Sequence, residues 1–160
     1  MSHTVILGNS IAGSTAAEEL IAADPSAQIT VFTFGKAGFY ARHLFPAVLA
    51  QEIPIKQVLR PAPQSTGGKD ARLRMIVDHK IDRINFRKNQ IVLDDKNKIC
   101  YDHLIVTDTG MSVLPKIKGI QKTGVFALNR LGELESVIQA LSLTETVVIV
   151  SDTLAGLKVA

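Results

Sequence analysis

Apolar positions along this chain follow two spacings. Thr4 to Leu7 is a short, almost wholly apolar run ahead of Gly8. Such a run without alternation predicts a strand buried on both faces of a parallel sheet. Ile11 to Ala23 takes helical spacing instead, with Gly13, Ala16, Ala17, Leu20 and Ile21 on one face. The small side chains on that face let a helix lie close to a sheet. Asp24-Pro25-Ser26 stops it. Gln28 to Phe34, rich in β-branched and aromatic residues, predicts a second strand. Strand, tight turn, helix, turn and strand make one βαβ unit.

Beyond it, residues 35–38 read as a loop and Arg42 to Ala50 as a short helix, with Pro46 restricting its first turn. "RPAPQSTGGKDA", residues 60–71, concentrates Pro, Ser and Gly and reads as a flexible segment. Leu73 to Val77, Lys80 to Phe86, Gln90 to Leu93 and Lys98 to Tyr101 predict short strands, with "DDKN" at 94–97 as a hairpin turn. His103 to Thr107 is a further apolar strand ending at "TDTG". Arg130 to Leu141 has helical periodicity, and Thr146 to Val150 predicts one more buried strand. The fold class is therefore α/β, a parallel sheet plus a small β-meander.

One echo stands out. "TVILGNSIAGSTAA" and "VVIVSDTLAGLKVA" share a strand, a six-residue turn ending in Ala-Gly, and a helix start. Two dinucleotide-type units would explain it. A βαβ unit with no following strand cannot close its sheet, so the sequence is expected to be part of a longer enzyme.

Composition narrows the classes. A chain of 160 residues, 46% apolar and 21% charged, fits a soluble globular domain with a core of its own. The net charge of +3 is scattered, and Lys80, Arg83, Arg87 and Lys88 read as a solvated strand face, so nucleic acid is not an expected partner. A single cysteine, Cys100, excludes a disulfide framework within the chain and favours a reducing compartment. No apolar run approaches the length that crosses a bilayer. "MSHTVILGNSIAG" lacks a basic leader, so no secretory signal is read and the cytoplasm is the expected location.

The chemistry lies in the first turn. A phosphate needs donors without crowding, and a helix N-terminus offers unpaired N–H groups and the positive end of a dipole. In a dinucleotide fingerprint the first glycine permits the tight turn, the second the approach of the pyrophosphate, and the third the packing of helix on strand. Gly8 and Gly13 keep the first and third roles. Ser10 replaces the second, narrowing the approach while adding a hydroxyl donor; Ser14 and Thr15 add donors nearby. The carboxylate that should end the second strand and hold a ribose is missing, since residues 25–51 contain no Asp or Glu. Either Lys36 favours an extra phosphate, as on NADP, or the ribose contact is lost or carried by backbone and Thr33. A glycine-punctuated βα turn with no ligand is the competing reading of the whole stretch.

"VILGNSIAG", "FYARHLFPAVLA", "YDHLIVTDTGMSVLPKIKGI" and "VVIVSDTLAGLKVA" occur in an order that resembles the FAD-dependent pyridine-nucleotide oxidoreductases, most closely those of nitrite-reductase type and of rubredoxin- or ferredoxin-reductase type. The resemblance covers essentially the whole chain. It implies a Rossmann-like FAD-binding domain over residues 1–115, then a connector and the beginning of an incomplete NAD(P)H-binding domain over 116–160. Gly8, Ser10 and Gly13, with Ile11 and Ala12, match the FAD pyrophosphate turn. Tyr40 and Arg42 match a Tyr-x-Arg motif beside the flavin. Thr107, Thr109 and Gly110 match an Ala-Thr-Gly motif that closes the flavin domain, with one inserted residue. Thr33, Phe34 and Ile81 complete the expected cofactor contacts. Residues after Thr146 would open the NAD(P)H domain, with Ser151 and Thr153 in place of its leading glycines.

By that resemblance the cofactors are FAD and, with an incomplete second site, NAD(P)H. Hydride would pass to flavin and electrons on to an acceptor, a small protein or small molecule; a homo-oligomer is compatible with this. "YARHLFPAVLA" carries no cysteine, which excludes the family's usual thiol chemistry; Cys100 is expected as a small buried residue. His43 has no acid nearby in sequence and is assigned no chemical role. No catalytic residue and no metal ligand is expected, and the chain alone is expected to be catalytically incomplete. Two other readings stay open: a degenerate, non-catalytic nucleotide-binding or regulatory domain, and a plain NAD-binding dehydrogenase domain.

Overall fold

A computed structural model describes residues 2–33, 38–61, 72–77, 79–107, 114–152 and 154–160. The chain divides into two compact units, Met1–Tyr40 with Leu59–Thr109, and Ala41–Val58 with Gly110–Ala160.

The first unit is built on a four-stranded parallel sheet, β1 (His3–Leu7), β2 (Gln28–Thr33), β3 (Leu73–Val77) and β7 (His103–Val106), in the order β3-β2-β1-β7. A three-stranded antiparallel sheet, β4 (Ile81–Asn85), β5 (Gln90–Leu93) and β6 (Lys98–Cys100), forms the expected meander. Strand pleating explains why β1 reads as an unbroken apolar run. Val5 and Leu7 join Phe32 and Ile76 on one face, packed with Ile91, Leu93 and Tyr101 of the meander region. Ile6 joins Ile29, Val31 and Leu73 on the other, against Ala17, Leu20 and Ile21 of helix α1 (Ile11–Ala23). Both faces are dry, so both sets must be apolar. The Tyr101 hydroxyl is buried in the first cluster with no hydrogen-bond partner among the described residues.

Helix α1 begins and ends where the sequence predicts. The Asp24 amide donates to Leu20 O at 3.0 Å, closing its last turn. The Asp24 carboxylate accepts from Ser26 Oγ at 2.7 Å, Ser26 N at 2.8 Å and Ser2 Oγ at 3.5 Å. The bonds from the Ser26 hydroxyl and amide hold its carboxyl below the ordinary value of 3.8.

In the second unit, the helix predicted over 42–50 is a 3₁₀ turn, Arg42–Leu44, leading into α2 (Phe45–Leu49), with Pro46 where its missing amide costs nothing. Helix α3 (Leu131–Leu141) starts under a carboxylate: Glu133 Oε2 accepts the Asn129 and Arg130 amides at 2.7 and 2.9 Å. The short α4 spans Leu154–Val159.

Two expectations fail. Thr146 to Val150 is not a strand: no described residue pairs with it, and Val148 is 83% exposed. β-branched residues favour extended backbone, but a strand exists only with a neighbour to take its N–H and C=O groups. Cys100 is exposed rather than buried. It ends β6, where alternation turns it away from the core that its neighbours Ile99 and Tyr101 enter. No helix among the described residues is long and apolar enough to cross a membrane.

Candidate functional site

The site assembles where β1, β2 and β7 end. Gly8 leaves β1 with φ 122°, a left-handed backbone that a side chain would resist, and its amide donates to Phe32 O at 3.0 Å. Ser10 is the N-cap of α1 in extended conformation, yet its hydroxyl makes no capping bond. The first helical bond runs from the Ser14 amide to Ser10 O at 3.0 Å, leaving the Ile11, Ala12 and Gly13 amides without an acceptor among the described residues. The first turn of α1 contains no acid to compete for them. Ser14, fully buried, turns its hydroxyl onto Ile11 O at 3.0 Å.

Gly13 closes the construction. A Cβ there would lie 2.3 Å from the Gly8 carbonyl oxygen and 3.2 Å from Thr107 Oγ1. The helix therefore rests on the turn at a distance only glycine permits, the role assigned to the third glycine. Thr107 locks β7 to the same point, with its amide and hydroxyl donating to Leu7 O at 2.9 and 3.0 Å. Gly8, Ser10, Ile11, Ala12, Gly13 and Thr107 are thus brought together at one helix tip.

The remaining expected contacts fall elsewhere or outside the description. Thr33 ends β2 and is buried. Ile81 begins β4, half-buried against the Val5–Leu7–Phe32 cluster. Arg42 belongs to the second unit, where its guanidinium donates to Asn129 Oδ1. Phe34, Lys36, Thr109, Gly110 and Thr153 lie outside the described residues. Sequence reasoning passed over Asn9, which is 3% exposed and donates from Nδ2 to Gly38 O at 2.9 Å. The signal was available: a polar residue flanked by an apolar run and a helix start needs a partner.

With this geometry in place, the comparison with known families is decisive. Residues 2–159 match the family described as pyridine nucleotide-disulphide oxidoreductase. The chain belongs to that family. Among solved structures it is similar to a NAD-dependent persulfide reductase from A. fulgidus (22% identity, TM-score 0.85) and a water-forming NADH oxidase from Lactobacillus brevis (17%, 0.86). It is also similar to NADH:rubredoxin oxidoreductase from Clostridium acetobutylicum (20%, 0.78). The matches cover 98%, 99% and 99% of this chain but 31%, 36% and 40% of those chains, so it spans about a third to two-fifths of their length. At these identities the likeness is one of fold, Rossmann-like with a parallel sheet and a meander. No curated protein sequence matches.

Proposed function

We propose that this chain holds the diphosphate of FAD at the residue 8–13 turn and forms the flavin-binding portion of an NAD(P)H-dependent electron-transferring oxidoreductase. The observation that carries the reading is the close seat of Gly13 on the Gly8 carbonyl, with three helix-tip amides beside it that find no acceptor among the described residues. A diphosphate supplies what that arrangement lacks: acceptor oxygens for the Ile11, Ala12 and Gly13 amides at the positive end of a helix dipole. The Ser10 hydroxyl, not engaged in capping, is a further donor, so the serine replaces by hydrogen bonding part of what a glycine gives by clearance.

FAD, when bound, supplies hydride acceptance from NAD(P)H and electron delivery to an acceptor, a small protein or small molecule; the chain's part is to bind and orient it. The family membership and the order of the motifs support FAD as the dinucleotide. The second turn fits a nicotinamide dinucleotide less well. A Cβ at Gly156 would lie 2.1 Å from Ser151 Cβ, so a side chain occupies the place of the leading glycine. No nicotinamide contact is assigned to it.

Titration of the purified chain with FAD, followed by flavin fluorescence and by melting temperature, tests the reading. Saturable binding, displaced by ADP, is expected. Ser10→Ala is expected to raise the Kd about fivefold through loss of one hydroxyl donor. Absence of FAD binding overturns the proposal, and protection by NAD alone replaces it with a dehydrogenase domain.

A further inference from the structure

Residues 8 and 9 do more than make the turn; they tie it to the chain returning after β2. The Gly8 amide donates to Phe32 O at 3.0 Å, within β2. Asn9 then makes two links to the returning segment: its Nδ2 donates to Gly38 O at 2.9 Å, and its own carbonyl accepts the Tyr40 amide at 3.2 Å. Asn9 is 3% exposed, and an amide side chain so deeply buried is tolerated only when bonded. Gly38 is not crowded, since a Cβ there would meet only Met75 Cε at 3.6 Å. The Asn9 links thus add to the burial of Phe39 and the pairing of residues 39–40 with 59–60, and no forced close approach at Gly38 is involved.

In open α/β sheets a ligand binds outside the carboxyl ends of the strands. The Asn9 links join the two pieces of chain that flank that region here, the phosphate-binding turn after β1 and the segment that returns after β2. We infer that Asn9 is a positioning residue of the cofactor site, fixing the spacing between these two walls; this rests on the FAD reading of the turn above. The link requires a donor. A carboxylate at the same position would face the Gly38 carbonyl with an acceptor and place a negative charge next to a bound diphosphate.

The test compares N9A and N9D in the full chain by FAD titration. N9A is expected to raise the Kd for FAD about tenfold, the usual scale of one buried hydrogen bond. N9D, isosteric with asparagine, is expected to bind more weakly than N9A at about pH 7.5. It should recover to N9A's affinity or better by about pH 4, where its carboxyl regains a proton and can donate. A purely structural role would lower the melting temperature without moving the Kd or its pH profile. Wild-type Kd in both variants, or a pH-independent N9D defect, overturns the inference. Should neither variant fold, hydrogen exchange in the wild type decides: saturating FAD is expected to slow the Tyr40 amide, and an unchanged rate overturns the inference. Failure of the wild type to bind FAD would instead remove the underlying reading.

Discussion

Residues 4–13 and 147–156 share a layout of apolar run, six-residue turn and Ala-Gly at a helix start, and they adopt different structures. In the first, β1 is flanked by parallel neighbours on both edges and Val5 and Ile6 are fully buried. In the second, the apolar residues form no ladder among the described residues, and Val148 is 83% exposed. The two turns nonetheless share one trait. Each late glycine lies where a Cβ would collide, Gly13 with the Gly8 carbonyl at 2.3 Å and Gly156 with the Ser151 side chain at 2.1 Å. Turn geometry is thus written by a few adjacent residues, while the strand needs partners from far along the chain. What meets that glycine differs: a backbone carbonyl in the first turn, a serine side chain in the second.

The sharpest way to break this comparison is to remove apolar bulk from each region. Phe32→Ala in β2 is expected to destabilise by about 3–5 kcal/mol in chemical denaturation, because Phe32 is 1% exposed between β1 and the meander. Val148→Ala is expected to change stability by less than about 0.5 kcal/mol. Equal losses would show that residues 147–150 are packed after all. The glycines come next. Gly13→Ala must displace buried backbone and is expected to cost about 1–3 kcal/mol, whereas Gly156→Ala forces a shift at Ser151 Cβ, but in an exposed stretch, and is expected to cost less than about 1 kcal/mol. Comparable melting temperatures for the two variants would contradict the distinction.

A smaller effect probes the dry core that only the first region possesses. Tyr101→Phe removes a buried hydroxyl that has no partner among the described residues and is expected to leave stability unchanged or raise it by about 1 kcal/mol. The smallest concerns Asp24. Its folded carboxyl titrates below the ordinary value because the Ser26 hydroxyl and amide bind the charged form. Its contribution is therefore complete above that value and disappears as pH falls through the lowered one. The melting-temperature gap between wild type and Asp24→Asn should be constant at neutral pH and shrink under acid. A gap that widens under acid would reverse the sign.

Much of the first unit was legible because its signals are local. The α1 boundaries follow from Ser10, Asp24 and Pro25, and the meander follows from alternation and the 94–97 turn. The packing role of Gly13 followed from its place in the glycine fingerprint, but its contact with the Gly8 carbonyl did not. Thr146 to Val150 was misread because a continuous apolar run reports what a residue would gain in a sheet, not whether a neighbouring strand is there. Cys100 was misread because identity outweighed register: a one-residue step along β6 decides which face it takes. Asn9 was missed because attention fell on the glycine positions, and its partner Gly38 lies 29 residues away.

The Thr107 link has a consequence for how the protein is made. Its hydroxyl meets a carbonyl 100 residues earlier. Closing so long a loop costs little more stability than closing a short one, but such distant pairing slows folding. At a synthesis rate of about 5–20 residues per second, the growing chain waits roughly 5–20 s with one flank of its first strand bare. Nucleotide loading at this turn therefore waits until that threonine has emerged, and a ribosome stalled before it would display a strand edge open to chaperones.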